Sequence, residues 1–238
     1  MKHQKTMISL KPNQPTVSKY YRIKRYVDIT VMIITLPVIG STILLFMFLT
    51  WLTSKGPVIY TQIRCGQDGK EFKMYKIRSM VADAESGSGA VWAGRKDPRI
   101  TVVGRIMRRL HIDELPQIYN VWRGEMTVIG PRPERPEFVE KLKNEIPCYE
   151  YRMSVLPGMT GYAQLNLPSD SGLDDVRKKL VLDLEYIEWV TFWFDMRILM
   201  GTALKFIRFK YFNHLPLKCC GIFRKPEDSP WAEKIGLD

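Results

Sequence analysis

The chain has 238 residues, with 36 Lys+Arg against 25 Asp+Glu for a formal net charge of +11, and 45% of its residues are hydrophobic. That balance excludes an intrinsically disordered chain and allows a domain large enough to bury a core of its own. The positive excess implies an anionic partner, which composition leaves open among nucleic acid, lipid headgroups and a phosphorylated substrate. Four cysteines (Cys65, Cys148, Cys219, Cys220) follow no spaced framework and include an adjacent pair, which points to free thiols in a reducing compartment.

Residues 1–18 are polar, carry Pro12 and Pro15, and read as a mobile basic tail lying on anionic lipid. From Ile29 to Ser54 no residue is charged, and these 26 positions would make a helix of about 39 Å, enough to span a bilayer. The stretch is too long for a cleaved signal peptide, so the protein is expected to be membrane-embedded. Pro37 predicts a kink or break within it. Basic residues flank both ends: Lys19, Arg22, Lys24 and Arg25 before, Lys55, Arg64, Lys70, Lys73 and Lys76 after. The positive-inside rule then asks for both ends on one side. A re-entrant hairpin bent at Pro37 meets that demand, and a kinked spanning helix is the alternative that the residues leave open.

Residues 56–80 predict two short strands around a Gly66-Gln-Asp-Gly69 turn. Residues 83–98 form a Gly/Ser loop whose Gly87-Ser-Gly89 opens no helix and so is no nucleotide motif. Helical patterns follow at about 101–122, 134–146 and 173–211, the last with a break near Thr191. The end of that pattern mixes Trp, Phe and Tyr with Arg197, Lys205, Arg208 and Lys210, which favours an interfacial helix over packing on the domain.

Chemistry concentrates in residues 97–134, where adjacent Asp113 and Glu114 stand among seven arginines, Arg99, Arg105, Arg108, Arg109, Arg123, Arg132 and Arg135 counted to just past the stretch. Two neighbouring carboxylates can divide labour, one as nucleophile or metal ligand and the other as base or orienter, although an acidic pair on a helix is more commonly a solvated face. Pro116 biases Leu115 away from helical dihedrals and so places the pair near a helix irregularity. Gly130-Pro-Arg-Pro133 is a stiff turn that would fix one guanidinium, a planar fork suited to phosphate, in space, although such a motif taken alone is more often a plain turn.

Taken together these residues resemble the bacterial sugar transferases of the monotopic phosphoglycosyl transferase superfamily, over about Lys24 to Ile207. The resemblance is carried by Lys24-Arg-Tyr-Val-Asp28, Pro37, Gly56-Pro57, Gln62, Arg64, Gly66, Gly69 and Tyr75-Lys-Ile-Arg-Ser-Met80. It continues through Asp97-Pro-Arg-Ile-Thr101, Gly104, Asp113-Glu-Leu-Pro-Gln117, Asn120-Val121, Gly130-Pro-Arg-Pro-Glu134, Pro157-Gly-Met-Thr-Gly161, Gln164 and Asp183. What the resemblance implies is transfer of a sugar-1-phosphate from a UDP-sugar to undecaprenyl phosphate, with UMP released, through a phosphosugar on an enzyme carboxylate. Asp113 would be that nucleophile and Glu114 its partner, both holding Mg²⁺ against the diphosphate. Arg132 would hold phosphate, with Lys76, Arg78, Arg108 and Asp183 as further substrate-binding residues. The resemblance also implies that the membrane helix is re-entrant and broken at proline.

Two positions depart from the family pattern. His111-Ile112 stands where Ser or Thr is frequent, and Cys65 where Val is usual; both are expected to alter packing, with His111 structural. The expected fold is α+β and mostly helical: a tail at 1–18, a re-entrant membrane helix at 19–54, a catalytic domain at 55–215 with interfacial helices, and a C-terminal tail at 216–238. Expected partners are a UDP-sugar, undecaprenyl phosphate and the anionic inner surface of the bacterial cytoplasmic membrane, without nucleic acid; a homo-oligomer stays open. A catalytically silent scaffold of the same fold and a basic membrane-tethered binding module are the competing readings.

Overall fold

A computed structural model describes residues 14–81, 84, 97–168, 172–211 and 225–237; for residues 206–211 it describes the backbone only. The tail before residue 14, most of the Gly/Ser loop, and residues 212–224 with Cys219 and Cys220 lie outside the described residues. Cys65 is a buried free thiol.

The uncharged stretch lies within one long helix, α1 (Tyr21–Thr53), which stays helical through Pro37. Its hydroxyl residues hide their polarity in the helix itself. Thr35, Ser41, Thr42 and Thr53 each donate to the carbonyl four residues back, at 2.7 to 2.8 Å, so none of these four hydroxyls needs water as acceptor. Ile34, Val38, Leu44 and Trp51 are all more than 60% exposed, an apolar surface that water would not tolerate but lipid would. This single long apolar helix is compatible with a monotopic membrane protein.

Both ends of α1 are tied to the rest of the chain. At its start, Lys24 pairs with Asp195, Asp28 accepts from the Thr127 hydroxyl, and Arg25 donates to the carbonyls of Val121 and Trp122. At its end, Arg78 Nη2 donates to the Ser54 carbonyl at 2.7 Å.

Strands β1 (Ile59–Cys65) and β2 (Glu71–Ile77) form the antiparallel hairpin that the alternation predicts, registered from Ile59 opposite Ile77 to Cys65 opposite Glu71. Its turn puts Asp68 (φ 55°) and Gly69 (φ 74°) in the left-handed region. The pattern at 101–122 divides into α2 (Val102–Leu110), a 3₁₀ helix (Ile112–Gln117) and α3 (Ile118–Arg123). Then come β3 (Thr127–Ile129), α4 (Pro136–Glu145), a 3₁₀ turn at Tyr149–Ser154, β4 (Gly158–Thr160), α5 (Tyr162–Asn166), α6 (Leu173–Trp189) and α7 (Phe192–Tyr211). The break between α6 and α7 falls at Val190 and Thr191, as the pattern predicts.

Strands β3 and β4 pair in parallel, an element too short for any alternation to announce. Their crossing is backbone against backbone: a Cβ on Gly158 would stand 2.1 Å from Gly130 N, and one on Gly161 2.2 Å from Gly130 O. Helix α6 is the central buried element, with Val181, Leu182, Leu184 and Ile187 at 0% exposure. Part of the predicted C-terminal tail is docked on it, since α8 (Pro230–Lys234) puts Trp231 and Ile235 into one cluster with Leu180, Leu184, Ile187 and Tyr21. Helix α7 turns Ile198 and Asp195 inward and leaves Trp193 and Met200 exposed.

Candidate active site

The acidic pair owes its orientation to the break after α2. His111 closes that helix in the left-handed region (φ 52°, ψ 24°), and the chain then tightens into the 3₁₀ turn that carries Asp113 and Glu114. Successive side chains in a 3₁₀ helix point about 120° apart, so the two carboxylates face different neighbours. The reversal therefore comes at His111, while Pro116 sits inside the 3₁₀ turn.

Glu114 is held by two cations. Arg132 grips it with both terminal nitrogens, Nη2 to Oε1 at 2.6 Å and Nη1 to Oε2 at 3.2 Å, and Lys76 Nζ reaches Oε1 at 2.8 Å. Burial alone would raise the Glu114 pKa, but Arg132 and Lys76 outweigh it and hold the carboxyl well below its ordinary value. The same carboxylate raises the Arg132 pKa, whereas Lys76 is lowered because burial costs it more than Glu114 returns.

Asp113 has the opposite environment. It is 7% exposed, and no ion pair engages its carboxylate among the described residues. Burial, then the Glu114 charge, push its pKa up to about 6, opposed by Lys76 and Arg108. A carboxylate that is dry, unpaired and ionised at neutral pH has the properties of a nucleophile, while its neighbour is electrostatically locked.

The arm that carries Arg132 is immobilised at nearly every carbonyl. Gly158 N–H donates to Pro131 O at 2.8 Å, Arg152 Nη2 to Arg132 O at 3.1 Å and Arg64 Nη1 to Pro133 O at 3.0 Å. Arg152 is itself pinned by Asp183 at 2.7 Å and the Tyr149 hydroxyl at 2.9 Å. Arg64 is fixed by Gln62 at 2.7 Å and lies 3.4 Å from Glu134. The stiffness expected of the Gly130-Pro-Arg-Pro133 turn thus comes as much from two supporting arginines as from its prolines.

The fold brings Asp113, Glu114, Lys76 and Arg132 together, with Arg108 close enough to act electrostatically on Asp113. Arg78 is turned to the end of α1, and Asp183 stands behind the clamp, supporting it through Arg152. Arg152 carries no signal in the sequence beyond its place in a basic chain. His111, whose pKa burial lowers, contributes backbone shape.

For a divalent cation the donor set is partial. Asp113 offers a hard, unpaired carboxylate, but both Glu114 oxygens are engaged by cations. No cluster of three His, Cys, Asp or Glu side chains exists among the described residues. This fits Mg²⁺, which is commonly held by one or two carboxylates with substrate phosphates completing the shell.

The profile of the bacterial sugar transferases matches residues 19–209. The chain is 52% identical over 136 residues to a Bacillus subtilis (strain 168) protein provisionally named an undecaprenyl-phosphate N-acetylgalactosaminyl 1-phosphate transferase, covering 57% of this chain and 75% of that protein. It is 42% identical over 183 residues to the UDP-N-acetylgalactosamine-undecaprenyl-phosphate N-acetylgalactosaminephosphotransferase of Aeromonas hydrophila, covering 77% of this chain and 43% of that protein. Against the UDP-glucose:undecaprenyl-phosphate glucose-1-phosphate transferase of Escherichia coli (strain K12) it is 38% identical over 185 residues, 77% of this chain and 40% of that one. The match thus spans about two fifths of these two larger relatives. With a family match over most of its length and the acidic pair and arginine clamp in one cluster, the chain belongs to the bacterial sugar transferase family and is a transferase enzyme.

Proposed function

We propose that the protein transfers a sugar-1-phosphate from a UDP-sugar to undecaprenyl phosphate in two steps, as the first reaction of an exopolysaccharide, capsule or O-antigen unit. In the first step an Asp113 oxygen attacks the sugar-bearing phosphorus and the bond to the bridging oxygen breaks, so that UMP leaves. In the second an oxygen of the acceptor phosphate attacks the same phosphorus, the bond to Asp113 breaks, and the carboxylate is restored. The observation that carries this reading is the contrast between Asp113, buried and unpaired, and Glu114, locked on Arg132 and Lys76.

Arg132 and Lys76 bind the donor diphosphate, with the fork of Arg132 fixing its orientation. Mg²⁺ would be held by Asp113 and the substrate phosphates, with Glu114 as a further ligand, and would supply neutralisation of the charge that builds on the donor diphosphate as UMP departs. Burial of Asp113 removes the water that would shield its charge.

The re-entrant course of α1 is part of the same reading. Lys24, Arg25 and Asp28 at its start and Ser54 at its end all bond to one domain, as expected when both ends lie on the cytoplasmic face of the inner membrane. Catalysis would then take place at that face.

The experiment is a single-turnover assay without polyprenyl phosphate, started with UDP-N-acetylgalactosamine and UDP-glucose. Release of UMP limited by the amount of enzyme, with a phosphosugar mass adduct on Asp113, is the expected result. UMP release that strictly requires the lipid acceptor, with no adduct, would sink the two-step scheme.

A further inference from the structure

Arg78 is 5% exposed, yet only one of its guanidinium nitrogens is bonded. Nη2 donates to the Ser54 carbonyl at 2.7 Å and lies 3.2 Å from Ser54 Oγ, while Nε and Nη1 are buried with no acceptor. No carboxylate among the described residues pairs with it. Capping the end of α1 accounts for Nη2 alone, and a guanidinium buried without counter-charge is costly unless an anion completes it.

Its position says which anion. Arg78 N–H donates to Val58 O at 2.8 Å, continuing the β1–β2 ladder, so its side chain shares the face of Lys76, about 7 Å further along. Lys76 touches Glu114, next to Asp113. On the other side Ser54 ends α1, whose last turns expose the apolar Phe48 and Leu52 beside Trp51, a residue type that sits at headgroup depth. Helix α1 packs against β2 and the 3₁₀ helix, and two further buried polar atoms lack a partner, Thr50 Oγ1 on α1 and Gln117 Nε2 on the 3₁₀ helix.

We propose that Arg78 seats the phosphate of the polyprenyl phosphate acceptor. This rests on the transferase reading and divides the cations between the two substrates, Lys76 and Arg132 facing the donor and Arg78 the acceptor. A phosphate monoester on a membrane lipid has its phosphorus at headgroup depth and supplies the acceptors that Nε and Nη1 lack. From that seat an anionic oxygen of the acceptor attacks the phosphorus carried by Asp113, the Asp113 oxygen departs as carboxylate, and no proton or redox partner is needed.

The test uses the full chain in phosphatidylcholine nanodiscs, without UDP-sugar, titrated with farnesyl phosphate and read by ³¹P line broadening. Saturable binding in the wild type and roughly tenfold weaker binding in Arg78→Gln are expected, the loss of a charge-assisted contact. Under turnover the KM for polyprenyl phosphate should rise by about the same factor while the KM for the UDP-sugar stays within about twofold. A helix cap alone would not produce that split. Equal binding by wild type and variant overturns the assignment. So does phosphatidylglycerol competing as well as farnesyl phosphate, which would make this a seat for bulk lipid headgroups, or inorganic phosphate binding as tightly, which would remove the lipid from the argument. If Arg78→Gln does not fold, photo-crosslinking of the wild type with a benzophenone analogue of farnesyl phosphate decides: adducts within residues 50–54 or at Arg78 support the site, and adducts only elsewhere overturn it. A wild type that binds farnesyl phosphate here but releases no UMP from any UDP-sugar would leave this site standing and sink the transferase reading.

Discussion

Lys24 and Asp195, 171 positions apart in the chain, form an ion pair with side chains only 4% and 1% exposed. The second Asp195 oxygen lies 2.7 Å from the Tyr186 hydroxyl, which also reaches the Ile129 carbonyl at 2.9 Å. The start of the membrane helix is thereby joined to α7 and to the strand that leads into the arginine clamp. Lys24→Ala leaves a buried carboxylate without its cation and should cost about 3–5 kcal/mol. Thermal unfolding of the detergent-solubilised protein measures this, and the double variant Lys24→Met with Asp195→Leu should recover most of the loss. No recovery would mean that the pair stabilises beyond removal of its own desolvation.

Glu114 occupies the fork of Arg132, so in the proposed reaction donor phosphate has to displace it. Glu114→Gln removes the competing charge and leaves Arg132 and Lys76 unneutralised. In EDTA, UMP should then bind roughly tenfold more tightly than to the wild type, although turnover collapses. Calorimetric titration reads the affinity, and weaker binding in the variant would show that Glu114 helps to hold phosphate.

Asp113 sets a trade between stability and function. Its pKa rises from the ordinary 3.8 to about 6 in the folded protein, so folding retains a proton that the unfolded chain gives up. The stability this contributes is present below pH 3.8 and lost as the pH rises through about 6, which leaves the ionised group a net cost at pH 7. Asp113→Asn should therefore be more stable than the wild type at pH 7, by at most about 3 kcal/mol, with the advantage fading below pH 4. The UMP burst of the wild type should fall off as the pH drops through about 6, and unchanged stability across that range would argue against a desolvated carboxylate.

Trp231 is 3% exposed, donates from Nε1 to Glu188 at 3.3 Å, and has Lys234 4.3 Å above its ring. Trp231→Ala should cost about 3–5 kcal/mol, as expected for a large aromatic side chain removed from a core. The thermal midpoint measures it, and a near-neutral result would mean that α8 is only loosely held.

The hairpin of β1 and β2 was legible because alternation and the Gly66–Gly69 turn agree, and the long uncharged run announces α1 directly. The acidic pair and Arg132 were legible as local motifs. Their union with Lys76 was not, since it requires β2 to lie against the 3₁₀ helix, and that docking leaves no periodic trace. Asp183 illustrates the limit from the other side: its place among the matching residues suggests substrate contact, whereas its carboxylate serves Arg152 behind the clamp. The split of one helical pattern at His111 was hidden as well, because a histidine, though enriched at positive φ, adopts the left-handed region too rarely to mark a helix end by itself.

The docking of α8 also imposes an order on events in the cell. Tyr21 at the start of the membrane helix and Trp231 share a cluster, and 177 positions separate Ser54 from Trp231. At ribosomal speeds of ~5–20 residues per second, roughly 10 to 35 s pass between synthesis of α1 and of the segment that completes the core. The chain between α1 and α8, its arginines included, is therefore made well before the segment that closes the cluster around Tyr21.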